Sequence, residues 1–143
     1  MNSKLIVLVE DNEDDVELTL RAFKKNNILA DILVLKDGQK AIEYFVTLKD
    51  QIKVPDLIFL DLNLPKVGGL DVLKFLRNDK KTTIPVIVLT SSTEESDIKN
   101  AYSLGANSYI RKPIDFLKFI ENMQTISDYW LTLNQPHLYI SCN

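Results

Sequence analysis

The amino-acid sequence predicts an α/β protein: a parallel, doubly wound sheet of five strands with helices on both faces. Three observations predict it. Short apolar runs of strand length recur five times along the chain, and amphipathic stretches with helical spacing alternate with them. Turn residues or capping residues punctuate the sequence between them. Strands that alternate with helices are joined by crossovers, and crossovers build parallel sheets covered on both faces.

Residues 4–9 form a continuous apolar run after Lys4, the pattern of a strand buried on both faces. Residues 14–26 carry Val16, Leu20 and Phe23 at helical spacing. Residues 31–36 are rich in β-formers and give the second strand. Asp37-Gly38 marks a turn, and Asp37 is placed to cap a helix carrying Ala41, Ile42, Phe45 and Leu48. The third strand is 56–61, followed by a loop at 65–69 and a helix at 70–77 with Leu70, Leu73 and Leu76 on one side. The fourth strand is 84–90, with Pro85 near its start, where a missing N–H is tolerated. Ser92-Thr93-Glu94-Glu95 fits the capping-box pattern and opens a helix running to about Leu104, with Gly105 as its stop. Residues 108–111 make a short fifth strand, Pro113 ends it, and a long helix follows over about 115–133. Residues 1–133 read as a single domain and 134–143 as a loose tail.

Composition bounds the function. A chain of 143 residues, 45% hydrophobic and 26% charged, has the length and make-up of one folded domain. No apolar run approaches the ~20 residues of a membrane helix, and no cationic and apolar leader opens the chain. Cys142 is the lone cysteine and His137 the lone histidine, so neither an internal disulfide nor a four-ligand zinc site is available. These features point to the cytoplasm. The net charge of −3, without a strong basic cluster, argues against direct DNA binding. Pro136 precedes His137 in the tail, which marks that histidine as an ordinary surface residue.

In an open parallel sheet, ligands bind beyond the carboxyl ends of the strands. The first strand delivers Glu10 and Asp11 there, the third Asp61, the fourth Thr90 and the fifth Lys112. Three carboxylates on one rim repel one another unless a cation intervenes. A hard divalent ion with oxygen ligands, such as Mg²⁺, is the natural remedy. Asp61 sits where a carboxylate can attack a phosphoryl group. Lys112 can neutralise charge on the phosphoryl oxygens, and Thr90 can donate a hydrogen bond to one of them.

With these residues in place, the chain resembles the receiver domain of the bacterial two-component response regulators. The likeness covers residues 4–126. It rests on Leu8-Val9-Glu10-Asp11-Asn12, on Asp56-Leu57-Ile58-Phe59-Leu60-Asp61-Leu62-Asn63-Leu64-Pro65, on Val86-Ile87-Val88-Leu89-Thr90, and on Gly105-Ala106 followed by Lys112-Pro113. The resemblance implies a flavodoxin-like, receiver-like fold with strand order 2-1-3-4-5. It implies Asp61 as phosphoacceptor and a Mg²⁺ site of Glu10, Asp11, Asp61 and the backbone carbonyl of Asn63. It implies Thr90 and Tyr109 as switch residues, and Lys112 as the phosphoryl contact on a cis Lys112–Pro113 bond. Tyr109 read from the residues alone is equally a core or edge residue of the fifth strand. Asn63 and Ser92, two past the acceptor and two past the switch hydroxyl, are expected to tune phosphate lifetime. Many receivers carry an acidic residue where this chain has Gly68, which predicts a more flexible loop.

The far end, Ile126-Ser127-Asp128-Tyr129-Trp130-Leu131, is similar to single-domain response regulators that partner phytochrome-type histidine kinases. The expected function is that of a single-domain response regulator in phosphorelay signal transduction. It would be a phosphoprotein fed by a partner histidine kinase and not itself an enzyme. The last helix outruns a five-stranded sheet, so Tyr129, Trp130, Leu131 and Leu133 are expected to form an exposed patch. That patch predicts a homodimer through the fourth helix, fifth strand and fifth helix. The alternative is a receiver-like interaction module that works without phosphorylation. A haloacid-dehalogenase-type phosphatase would need an Asp where Asn63 stands. A flavin carrier would need a hydroxyl- and Gly-rich loop in place of Glu10-Asp11-Asn12-Glu13, and a dinucleotide-binding domain would need the absent G-x-G-x-x-G.

Overall fold

The computed structural model describes residues 3–51, 53–113 and 115–137; Cys142 and the tail segment 138–143 lie outside the described residues. The elements run β1 (Lys4–Val9), α1 (Glu13–Lys25), β2 (Ala30–Leu35), α2 (Gly38–Val46), β3 (Leu57–Leu60), α3 (Gly69–Lys74), β4 (Val86–Thr90), α4 (Glu95–Ser103), β5 (Ser108–Arg111) and α5 (Phe116–Asp128). All five strands are parallel, in the order β2-β1-β3-β4-β5. The predicted fold class and strand order are those observed.

Alternation along the strands divides the core into two layers. Ile6, Leu8, Leu57, Phe59, Ile87 and Leu89 face α1 and α5 and pack on Phe23, Phe119 and Met123. Val7, Val9, Ile58, Leu60 and Val86 face the other way, onto Phe45 of α2 and Val72, Leu73 and Leu76 of α3 and its last turn. Leu62 and Val88 meet Ala101 of α4. The chain winds from β1 to β2 in one direction and from β2 on to β5 in the other. Right-handed crossovers therefore put α1 on the opposite face from α2, α3 and α4. That reversal opens the rim between β1 and β3, where Glu10, Asp11 and Asp61 emerge. α5 returns to the α1 side, tied by the Asn26 side-chain amide donating to the Ile120 carbonyl at 3.0 Å and by Arg21 over the Phe116 ring at 5.2 Å.

Local capping signals act at some helix ends and not at others. Asn12 caps α1, its side chain accepting from the Asp15 N–H at 3.0 Å, and Asp37 caps α2 through the Lys40 N–H at 2.7 Å. Gly105 takes φ +103° after α4, the left-handed stop. The capping box at 92–95 does not form. α4 starts later, its cap is Glu94 without a side-chain bond, and Ser92 instead bonds Asp97 and the Glu94 N–H. α3 and α5 each end in one widened turn, over Phe75–Asp79 and Tyr129–Leu133, closed by Lys80 N–H to Phe75 O and Asn134 N–H to Tyr129 O. The Lys112–Pro113 bond is trans, not cis as the resemblance implies; no cis bond occurs among the described residues. Trans is the isomer that X–Pro amides favour by about 0.5–1 kcal/mol.

Candidate functional site

Glu10, Asp61 and Lys112 each follow directly on a strand and Thr90 ends one, so the ladder sets their positions. The Glu10 N–H still bonds Leu35 O at 3.0 Å, the Asp61 N–H bonds Val9 O at 3.0 Å, and the Lys112 N–H bonds Thr90 O at 2.9 Å. Backbone pairing thus ties the end of β1 to β2 and to β3, and the end of β5 to β4, before any side chain is considered.

The structure brings Glu10, Asp11, Asp61, Thr90 and Lys112 into one site. Asp61 is 6% exposed and Thr90 fully buried. Asp61 Oδ1 accepts the Thr90 hydroxyl at 2.8 Å and the Asn63 N–H at 3.1 Å, while Oδ2 accepts Lys112 Nζ at 3.1 Å. Lys112 also donates to Glu10, in a very short contact, and to Asp15 Oδ2 at 2.9 Å. One carboxylate oxygen each from Glu10, Asp11 and Asp61 lie within 4.8 Å of one another. Three hard oxygen donors at that spacing suit Mg²⁺ or Mn²⁺, and the donor set contains no soft ligand.

The charges are uneven. Burial, together with the bond to Asp61, pushes the Glu10 carboxyl up to about 7, against the lowering effect of Lys112. Burial pushes Asp61 the same way, but Glu10, Lys112, the Asn63 N–H and the Thr90 hydroxyl outweigh it and hold this carboxyl below its ordinary value. Burial disfavours the Lys112 ammonium, yet its bonds to Glu10 and Asp15 and its attraction to Asp61 prevail, so it stays protonated across the accessible range. Of the two carboxyls, Glu10 is therefore the one that gives up its proton last as pH rises.

Tyr109 is half-buried against the Leu62, Val88 and Ala101 cluster, and its hydroxyl donates to Ser92 O at 3.0 Å. The ring packs on that cluster and the hydroxyl reaches the loop after β4. Gly68 sits at an ordinary φ of −70° with open space around it. That conformation is open to any residue. The glycine that matters is Gly69. A Cβ at that position would overlap the Asp61 carbonyl oxygen and stand 2.6 Å from Leu62 Cα. The patch expected at the end of α5 is smaller than predicted. Tyr129 and Leu133 are exposed at 48% and 74%, but Trp130 and Leu131 pack against the α1–α5 core. Trp130 stands four residues after Ile126, so the ordinary helical period carries it inward.

Sequence reasoning missed Asp15 and Gly69. Asp15 lies in the first turn of α1, which starts just past Glu10-Asp11 and so stands over the same rim. Gly69 carried no local signal, because its need arises from the backbone of β3 rather than from its own turn.

Comparison with known proteins agrees with this geometry. A model of the response regulator receiver domain matches residues 6–124. The chain is similar to the probable methanogenesis regulatory protein FilR2 of Methanothrix harundinacea, 38% identical over 133 residues, covering 92% of this chain and 86% of that protein. It is similar to the response regulator Rcp1 of Synechocystis, 35% identical over 131 residues, covering 90% and 89% of the two chains. The crystal structure of the Mn²⁺-bound form of Rcp1 superposes with a TM-score of 0.82 at 35% identity, covering 94% of this chain and 99% of that one. The phosphorylated cyanobacterial phytochrome response regulator RcpA superposes with a TM-score of 0.84 at 33% identity, covering 96% and 99%.

Proposed function

Because the chain belongs to the response regulator receiver domain family, we propose that it accepts a phosphoryl group on Asp61 from a partner histidine kinase. The observation that carries this reading is the setting of the Asp61 carboxylate. One oxygen takes the Thr90 hydroxyl and Asn63 N–H, the other takes Lys112, and the Glu10 and Asp11 oxygens cluster beside it.

In the proposed step an Asp61 oxygen attacks phosphorus in line. A P–O bond forms as the P–N bond of a phosphohistidine breaks, and the histidine leaves. Lys112 neutralises charge on the transferring oxygens, as phosphoryl transfer requires. Glu10, Asp11, Asp61 and the Asn63 carbonyl would hold Mg²⁺, which supplies charge neutralisation when bound. The product is a phosphorylated side chain rather than a released substrate, so the protein acts as acceptor and not as an enzyme.

The new dianion beside Thr90 would rebalance the Thr90–Ser92–Tyr109 chain of bonds, a local charge event that biases the surface of α4, β5 and α5. Tyr102, Leu117, Tyr129 and Leu133 are exposed on these helices and their continuation, which supports a homodimer through this face. A dilution series by analytical ultracentrifugation tests it; a monomer mass at every concentration would count against it. The family relatives named for phytochromes support a photoreceptor-type kinase as donor. Among the described residues no helix is long and apolar enough to cross a membrane, which fits a cytoplasmic site of action.

The deciding experiment is intact mass after incubation with Mg²⁺ and acetyl phosphate, wild type against Asp61→Asn. One added phosphoryl group in the wild type alone supports the proposal. No gain, repeated with a panel of histidine kinases, would favour a module that works without phosphorylation.

A further inference from the structure

Resting on that reading, we infer that Asp15 is a positioning residue that restrains Lys112 and slows phosphorylation of Asp61. An ammonium has three N–H donors. In this structure all three are engaged, by Glu10, Asp15 and Asp61. An arriving phosphoryl oxygen therefore finds no free donor on Lys112, and one partner must yield. Glu10 cannot, because its side chain is 3% exposed and has no water to turn to. Asp61 is the acceptor itself and 8% exposed. Asp15 is 36% exposed, on the first turn of α1 with solvent beside it, so it is the partner that can be released.

Asp15 acts in a second way. Three carboxylates, Glu10, Asp15 and Asp61, bond a single ammonium, and Asp11 lies beside Glu10 and Asp61. A phosphodonor is itself anionic, so the outermost carboxylate adds repulsion without contributing to the three-oxygen cluster. Asp15 therefore holds Lys112 ready over Asp61 while raising the barrier to its use.

The side chain is separable from the fold. The cap of α1 uses the Asp15 backbone N–H, accepted by Asn12 at 3.0 Å, and its carbonyl accepts the Thr19 hydroxyl at 2.8 Å. Asp15→Asn keeps both bonds and removes only the charge. The experiment measures the rate of Asp61 phosphorylation by acetyl phosphate, with acetate leaving as the acyl phosphate forms, followed by intact mass at saturating Mg²⁺. Asp15→Asn is expected to run about three- to tenfold faster than wild type at low ionic strength. Asp15→Glu, which restores the carboxylate, is expected near the wild-type rate. The gap between Asn and wild type should narrow in about 0.5 M KCl, because a partly exposed charge is screened; a purely structural loosening of Lys112 would not respond to salt.

An Asp15→Asn rate at or below wild type overturns the inference. So does an Asp15→Glu rate as fast as the Asn variant, or a gap indifferent to salt. If the wild type itself takes up no phosphoryl group under conditions where histidine kinases also fail, the proposed function falls and this inference with it. Labelling of wild type with no Asp15 effect overturns the inference alone.

Discussion

Glu10→Gln gives the sharpest test of the electrostatics. In the folded, metal-free chain this carboxyl is pushed from its ordinary 4.5 up to about 7 by burial and by the neighbouring Asp61. Between those two pH values the folded chain keeps a proton that the unfolded chain has released, so stability falls as pH rises through the window. The full displacement is worth about 3 kcal/mol, reached by about pH 8. Asp61, held below its ordinary 3.8, contributes stability already present above that value, so it adds no slope here. Glutamine mimics the protonated acid: its amide can donate to Asp61 and its carbonyl can accept from Lys112. The variant is expected to match wild type at pH 5 and to exceed it by about 2–3 kcal/mol at pH 8 without metal. At roughly 3 °C per kcal/mol for a chain of this size, that is a Tm gain of about 6–9 °C. Urea and thermal denaturation in chelator at pH 5, 6, 7 and 8 measure it. A pH-independent offset between the two proteins, or a variant less stable at pH 8, would refute the reasoning.

The same proton couples to metal. Apparent Mg²⁺ affinity should rise up to about tenfold per pH unit below pH 7 and level off above it, read by titration calorimetry; a flat profile would show that Glu10 does not carry the proton. Lys112→Met leaves Glu10, Asp15 and Asp61 without their cation. It should cost about 3–5 kcal/mol at pH 8 in chelator, with part of the loss recovered in millimolar Mg²⁺, as measured by urea denaturation. Gly69→Ala must push the β3 backbone away from its Cβ, so it should cost about 1–3 kcal/mol and slow Asp61 phosphorylation as well; normal rates at lowered stability would separate the packing from the site. Gly105→Ala combines φ +103° with an Arg77 Cγ only 2.9 Å from the new Cβ, and a melt lowered by about 1–3 kcal/mol is expected.

Much of this molecule was decided locally. Five apolar runs broken by helical periods specify alternating strands and helices, because continuous apolar runs tolerate burial on both faces and the helical stretches do not. Parallel strands then oblige the residues that follow each run to gather on one rim. This is why Glu10, Asp11, Asp61, Thr90 and Lys112 were legible as a set before any coordinates. Asn12 and Asp37 cap through backbone N–H groups of their own helices, and the capping roles of Asp37 and Gly105 are readable because such signals are local. The remainder depended on approach between distant segments. The requirement for Gly69 comes from the Asp61 backbone across a loop. The 92–95 capping box fails as Ser92 bonds Asp97 and the Glu94 N–H instead. Leu131 joins the core between α1 and α5 while Tyr129 and Leu133 stay outside. Above all, a sequence lists carboxylates without saying how they share one cation. Only the folded rim gives Lys112 three partners at once and leaves Asp15 alone among them with access to water.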